Sequence, residues 1–247
     1  MKLYVYCLLE GVAHLDQLPQ GISNAPVRLF PIDDLAVLVS DIDNDAVAIT
    51  RETALAHAAV VRSVLDRTTP LPFRFGTLVT EQQLRSYISA RQPALENNLA
   101  LVRGCVEMSV KIIWNVSNNH EPEQQLSDDK QGAGARFLKE KRREILGNEQ
   151  RSAEATEISG WLHESIGELI RDEQVALRPS EKLVLAAAHL VERHKVRQYR
   201  EKMAEARASR PDLHFLLSGP WPPYTFADFE RGFNNIELEF KTRFGVS

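Results

Sequence analysis

Apolar and polar residues alternate along several short stretches of the chain, and this pattern predicts β-strands. Residues 3–8 form the first strand, with odd-numbered side chains expected on one face and even-numbered ones on the other. Residues 27–32 and 35–40 are two further strand-like runs, and Asp33-Asp34 between them predicts a hairpin. The N-terminal part of the chain therefore contains an antiparallel sheet.

The clearest strand covers residues 106–116. Apolar side chains occupy its even-numbered positions, and polar ones such as Glu107 stand between them. This half-polar alternation is typical of an antiparallel sheet with one covered face. We therefore expect Glu107 on the open face of the sheet.

Two amphipathic helices separate these strands. Thr50 is a predicted N-cap, since a side-chain oxygen can accept from the exposed amides of the first turn. Thr80 and Gln83 have the spacing of a capping box at the start of the second helix. Pro93 is expected to kink or restart that helix.

The second half of the chain has a different pattern. A long, charged helical segment is predicted over residues 135–175, followed by a β-α-β unit. The strands and helix of that unit are predicted at residues 183–191, 194–208 and 213–217. The remaining tail, from residue 227, is a short helix or an arm.

These elements predict an α+β protein of two domains. Residues 1–118 form an α+β domain, residues 119–134 are a polar linker that contains Asp128-Asp129, Gly132 and Gly134, and residues 135–247 form the second domain. A chain of 247 residues is long enough for two domains of ordinary size.

Composition narrows the class of function. The chain is 43% hydrophobic and 26% charged, as in an ordinary globular protein, and its net charge is −4. This charge gives no global attraction to nucleic acid or to an anionic membrane, so we expect neither as a partner. No apolar run reaches the length of a membrane span, and no cleavage pattern follows the N-terminus, so we expect a cytoplasmic protein without a signal peptide.

Signatures of catalysis and of cofactor or metal binding are missing from the sequence. It contains no P-loop, nucleophile elbow or HExxH pattern, and Cys7 and Cys105 lack metal-ligand spacing. The seven histidines are scattered, so we expect them at or near the surface. The basic cluster over residues 136–143 is interleaved with glutamates and is expected to be a solvated helix face. We predict no enzyme, no cofactor and no metal.

Two segments combine proline with aromatic residues. In the first, Pro70 and Pro72 allow only a short or edge strand, in which Phe73 and Phe75 share a face and Arg74 points the opposite way. The second runs from Leu217 to Phe226, and its three prolines make it a stiff surface connection.

The aromatic residues of the second segment have two interpretations. Trp221 and Tyr224 either close the end of their own core or form a rigid contact surface for a protein partner. We predict a partner-binding site that includes residues of both segments, namely Phe73, Arg74, Phe75, Trp221, Tyr224 and Phe226.

These segments also carry a family resemblance. The chain resembles the gas vesicle protein F/L family, whose members open with a YVYG-type strand, carry LPFRFGT in the first half and end near GPWPPYSF. The matching stretches here are residues 4–7, Leu71 to Thr77 and Gly219 to Phe226. Cys7 stands where glycine is common, and Thr225 stands where serine is common.

The resemblance implies an accessory protein of gas vesicles, which are gas-filled, protein-walled organelles within the cytoplasm. It implies a non-enzymatic partner of the hydrophobic major shell protein that assists assembly or prevents aggregation, with other accessory proteins as further partners. It also implies two domains, the first with a modified ferredoxin-like fold. A small-molecule-binding regulatory α+β module is the alternative function, since such sheets often bind ligands at strand edges.

Overall fold

The structure, a computed structural model, describes residues 2–11, 15, 17–43, 46–114, 133–177, 180 and 183–227. The fold is α+β, as predicted. The strands of the described residues are β1 (Lys2–Glu10), β2 (Arg28–Ile32), β3 (Leu35–Ile42), β4 (Leu71–Pro72), β5 (Leu78–Val79), β6 (Cys105–Trp114), β7 (Ile170–Ala176), β8 (Leu183–Glu192) and β9 (Leu213–Trp221). The α-helices are α1 (Arg51–Ser63), α2 (Glu81–Val102), α3 (Ala133–Ile166) and α4 (Val196–Ser209).

The chain divides into two compact units. One contains the residues up to Glu107 and the segment that begins at Pro220, and the other runs from Met108 to Gly219. The segment after Pro220 therefore groups with the N-terminal sheet. Most of the predicted linker and nearly all of the predicted tail lie outside the described residues, so the predicted domain limits remain predictions.

The first unit is built on a sheet in the order β2-β3-β1-β4, in which β5 also pairs with β1. The predicted hairpin is confirmed, because β2 and β3 pair antiparallel on either side of Asp33-Asp34. Strand β1 is buried along nearly its whole length. Such burial requires cover on both faces of the sheet, and helices α1 and α2 both pack against β1.

A β-bulge in β1 corrects the predicted distribution of its side chains. Val5 lies opposite Val39, and Cys7 lies opposite Leu38, so one extra residue of β1 is accommodated between them. An extra residue reverses the alternation beyond it, and Cys7 consequently joins Tyr4 in one core cluster. The regular alternation predicted for residues 3–8 is therefore wrong from Cys7 onward, while Tyr4 and Tyr6 share a side as predicted.

Both predicted helix starts are confirmed. Thr50 accepts from the Thr53 amide at 3.2 Å, and Thr80 accepts from the Gln83 amide at 3.2 Å, in both cases as part of a capping box. Pro93 does not restart α2, which is a single helix through that position.

The second unit contains a sheet in the order β7-β8-β6-β9. The predicted β-α-β unit is confirmed as β8, α4 and β9. The predicted helix over residues 135–175 is wrong at its C-terminal end, because α3 stops at Ile166 and residues 170–176 form β7. Pairing of β7 with β8 supplies the backbone hydrogen bonds that outweigh the helical periodicity there.

Two histidines are buried, which corrects the prediction of surface positions. His57 is 3% exposed and bonds to Tyr4, while His189 is 1% exposed and bonds to Tyr199 at 2.7 Å. Burial lowers the pKa of each imidazole to about 4, so both rings are neutral at pH 7.

Candidate functional site

The LPFRFGT segment runs along one edge of β1. Four residues of β1, from Tyr4 to Cys7, face seven residues of the neighbouring segment, from Pro72 to Leu78. The segment therefore loops away from the sheet in its middle and rejoins it. A backbone bond from the Phe73 amide to the Tyr6 carbonyl, 2.9 Å, closes one end of this loop.

We call residues 73–77 the β4–β5 loop. At its other end, the Val5 amide donates to the Thr77 carbonyl at 3.0 Å. The Thr77 hydroxyl also donates to the Arg74 carbonyl at 2.8 Å, which closes the turn. Gly76 has φ +88°, a conformation that favours glycine. The motif is thus a defined loop on the sheet edge, held by backbone bonds at both ends.

The Tyr4 hydroxyl of β1 anchors this loop through hydrogen bonds. It lies 3.0 Å from His57 Nδ1 and accepts from the Gly76 amide at 3.1 Å. The Phe75 ring packs edge-on against Tyr4, with ring centroids 6.3 Å apart, and against His57, 5.8 Å apart. Burial is the main cause that raises the Tyr4 pKa far above its ordinary value, so the hydroxyl stays protonated and can donate to the imidazole.

The predicted residues of the loop occupy three different environments. Phe73 is buried at 1% exposure, Phe75 is half-buried and Arg74 is exposed. In this structure Phe73 is therefore part of the core and has no surface to offer a partner. Arg74 and the outer part of Phe75 are accessible.

The proline-rich segment continues directly from the edge strand β9. We call residues 220–227 the proline-framed segment. Pro222 and Pro223 are buried, and two tight turns follow, with the Tyr224 amide donating to the Pro222 carbonyl at 2.8 Å. Phe226 is also buried, at 3% exposure, and like Phe73 lies in the core.

A buried carboxylate fixes the end of this segment. Glu107 is 5% exposed and accepts from the Thr225 amide at 2.8 Å and from the Thr225 hydroxyl at 2.9 Å. The sequence placed Glu107 on the open face of its strand, and the structure corrects this. Burial raises the pKa of Glu107, and the two hydrogen bonds from Thr225 partly oppose that shift.

Trp221 and Tyr224 remain outside the core. Their exposed fractions are 39% and 41%, which are high for large aromatic residues on a rigid segment. The Arg62 guanidinium of α1 lies over the Trp221 ring, 5.8 Å from its centroid. Partial burial raises the pKa of Tyr224 to about 12, and the neighbouring Cys7 and Glu107 contribute to this shift.

The β4–β5 loop and the proline-framed segment are both close to strand β1. Tyr224 adds to the raised pKa of Tyr4, the residue that anchors the β4–β5 loop, and Cys7 of β1 adds to that of Tyr224. Arg62 and Glu107 were not predicted as part of the site. A glutamate within an apolar strand is the one signal that could have identified Glu107 from the sequence.

Neither metal-binding nor membrane-spanning features emerge from the residues described above. Within the described ranges, no group of three or more His, Cys, Asp or Glu side chains is arranged to hold a metal ion. In the same part of the chain, no helix has both the length and the apolarity of a membrane span.

Comparisons with known proteins find relatives over most of the chain. Gas vesicle protein L2 of Halobacterium salinarum is 27% identical over 91% of this chain and 90% of its own length. Gas vesicle protein L of a Streptomyces species is also 27% identical, over 91% of this chain and 92% of its own length.

Solved structures share the fold. The crystal structure of the gas vesicle protein GvpF from Anabaena superposes with a TM-score of 0.75 at 19% identity, covering 93% of this chain and 97% of that protein. The corresponding GvpF structure from Microcystis aeruginosa gives a TM-score of 0.72 at 20% identity, with 92% and 99% covered. Finally, the model of the family described as "Gas vesicle synthesis protein GvpL/GvpF" matches residues 2–228. The chain therefore belongs to the GvpL/GvpF family of gas vesicle synthesis proteins.

Proposed function

We propose that this protein binds the hydrophobic major shell protein of gas vesicles during assembly and keeps it from aggregating, without catalysing a reaction. It acts at the growing vesicle within the cytoplasm, where other accessory proteins are further partners. Trp221 and Tyr224 make the main contact, and Arg74 and Phe75 contribute from the β4–β5 loop.

The observation that carries this proposal is the exposure of two large aromatic residues on a segment that cannot rearrange to bury them. Pro220, Pro222 and Pro223 fix the backbone, and Glu107 holds the segment's end through Thr225. Trp and Tyr are the residues most enriched among the strong contacts of protein interfaces. A surface already rigid before binding loses little conformational entropy when a partner covers it.

The chemistry of the partner supplies the driving force. A wall that excludes liquid water must present an apolar face, so shell subunits that have not yet assembled expose patches that self-associate. Covering such a patch with aromatic side chains removes apolar area from water at about 25 cal/mol per Å². No bond needs to be formed or broken, which agrees with a role as an assembly factor.

The test is a sedimentation assay with purified shell protein. Shell protein is diluted from denaturant into buffer with increasing amounts of the full-length chain, and the fraction that stays in the supernatant is measured. We expect the chain to keep shell protein soluble and the double variant Trp221→Ala/Tyr224→Ala to lose at least about tenfold in potency, equivalent to about 1.4 kcal/mol. Tyr87→Ala, which truncates a half-buried tyrosine of α2, is the matched control.

Two results separate the function from the site. If the wild-type chain leaves shell protein in the pellet, the proposed function is wrong. If the wild type works and the folded double variant works equally well, the function stands and the assignment to Trp221 and Tyr224 is rejected. Circular dichroism establishes that each variant is folded.

A further inference from the structure

The outer face of α1 is apolar in its middle and basic at both ends. Arg51, Leu55, Ala58 and Arg62 follow one another at helical spacing and are all exposed, on the side of the helix opposite the buried residues His57, Val60 and Val61. Leu55 is 59% exposed. A leucine on the outermost line of a short helix gains nothing from folding, because its position is the farthest from the core.

Exposed apolar residues also lie near both ends of the helix. Ile49, just before the N-cap, is 88% exposed. A residue at this position often packs onto the first turn as a hydrophobic staple, and Ile49 is far too exposed to do so. At the other end, Arg62 lies over Trp221. We call Ile49, Leu55, Ala58, Arg62 and Trp221 the α1 line.

The shape of the α1 line suits a second helix. The small side chain of Ala58 lies between Leu55 and the Arg62–Trp221 pair. The surface of the α1 line therefore has a depression at Ala58, with larger side chains before and after it. Helices pack by inserting a ridge of side chains into such a groove. A strand would have no free edge to pair with here, because the backbone of α1 is hydrogen-bonded within the helix.

The charges define the partner further. Arg51 and Arg62 are eleven positions apart, or about 16 Å along the helix axis at a rise of ~1.5 Å per residue. Glu52 is next to Arg51, and both arginines are exposed. On a partner helix that covers Leu55, carboxylates that flank the apolar stripe at a similar spacing would therefore complement the two arginines.

We propose that the α1 line docks a helix of the major shell protein whose apolar stripe is flanked by acidic residues. This inference rests on the proposed function and extends its contact surface from Trp221 along α1 to Ile49. The apolar residues provide contact area, and the arginines fix the register and direction of the bound helix.

The experiment uses the full-length chain and the sedimentation assay with purified shell protein. Leu55→Asp places a charge in the middle of the line, and Leu216→Asp is the matched control, since Leu216 is an exposed leucine of β9, at 46%. We expect Leu55→Asp to reduce potency at least tenfold and Leu216→Asp to change it less than twofold. Arg51→Glu is expected to lower potency and to weaken its dependence on salt.

A second measurement places the contact directly. A photo-crosslinking amino acid at position 55 should form an adduct with shell protein, and the same group at position 216 should not. Unchanged potency of Leu55→Asp, equal losses for Leu55→Asp and Leu216→Asp, or crosslinking from position 216 alone would each overturn the α1 line while leaving the proposed function intact. A wild-type chain that fails to keep shell protein soluble overturns both.

Discussion

The Glu107 carboxylate accepts two hydrogen bonds from Thr225, a residue 118 positions later in the chain. This pair ties the proline-framed segment to the start of β6, and both residues belong to the same compact unit as the N-terminal sheet. Because Glu107 is buried, the bond is protected from competition by water. The carboxylate thus fixes the end of the segment that carries Trp221 and Tyr224, and it also acts electrostatically on Tyr224.

Truncation of this carboxylate should destabilise the protein. Glu107→Ala leaves the amide and hydroxyl of Thr225 without their buried acceptor, a loss of about 1–3 kcal/mol in the free energy of unfolding. Urea unfolding followed by circular dichroism measures it. Glu10→Ala, at an exposed salt bridge with Arg103, is the control and should cost less than about 1 kcal/mol. Equal losses for the two variants would show that the Glu107 contact contributes nothing beyond a surface pair.

The isosteric variant Glu107→Gln should behave differently and reveal a pH dependence. Because burial raises the pKa of Glu107, the folded state binds the proton more tightly than the unfolded state. Wild-type stability therefore falls, relative to that of Glu107→Gln, as the pH rises above about 4.5, the ordinary value for the side chain. The unfolding free energy of the wild type minus that of Glu107→Gln should therefore decrease from pH 4 to pH 7. A difference that is constant with pH contradicts the raised pKa.

Removal of one hydroxyl should loosen the β4–β5 loop. Tyr4→Phe deletes the group that joins buried His57 to the amide of exposed Gly76, so both lose a hydrogen-bond partner while the ring packing is kept. We expect a loss of about 1–3 kcal/mol in the free energy of unfolding and faster amide hydrogen exchange at Gly76. Tyr87→Phe, in which Arg91 can still lie over the ring, is the control and should change stability little. Unchanged exchange at Gly76 would contradict the anchoring role of Tyr4.

The structural features that depend on local sequence patterns were predicted correctly. Helix caps at Thr50 and Thr80 and the turn at Asp33-Asp34 were correct, because side-chain oxygens and turn residues act within a few positions of the chain. The β-α-β unit around α4 was also correct. The sequence pattern predicted a helix where the structure has β7. The prediction is wrong because pairing with β8, and not local propensity, decides the conformation there.

The exposure of the candidate residues could not be predicted from the sequence. Proline content and aromatic residues singled out the two segments, but they do not show which side chains are exposed. Phe73 and Phe226 are buried, while Trp221 and Tyr224 are not, and this depends on long-range contacts such as Glu107 with Thr225. The bulge at Val5–Cys7 likewise leaves no signal in the alternation, because both faces of β1 are apolar.

The contact between Arg62 and Trp221 should be measurable as a coupling energy. A double-mutant cycle with Arg62→Ala and Trp221→Ala isolates the cation–π interaction, for which we expect about 0.5–1 kcal/mol of the free energy of unfolding. The same cycle with Arg91→Ala and Trp221→Ala is the control, since Arg91 lies over Tyr87 instead. A coupling energy of zero for the first pair would mean that Arg62 does not hold the Trp221 ring in solution.

The buried histidines should make the protein acid-sensitive. Burial lowers the pKa of His189 and of His57 to about 4, below the ordinary value of 6.5, so between these limits the unfolded state binds more protons than the folded state. The contribution of these neutral histidines to the free energy of unfolding is therefore complete above pH 6.5 and is lost as the pH falls toward 4. Each ring can contribute up to about 3 kcal/mol of this loss.

His189→Gln tests this dependence, because a side-chain amide can form a hydrogen bond with the Tyr199 hydroxyl but takes up no proton in this range. Urea unfolding at pH 7, 6, 5 and 4.5 gives the slope of the unfolding free energy against pH. We expect a shallower slope for His189→Gln than for the wild type, whatever its stability at pH 7. Leu216→Gln, at an exposed and non-titrating position of β9, should retain the wild-type slope. If His189→Gln also retains it, then His189 is protonated in the folded protein, and its ring is not held neutral by burial.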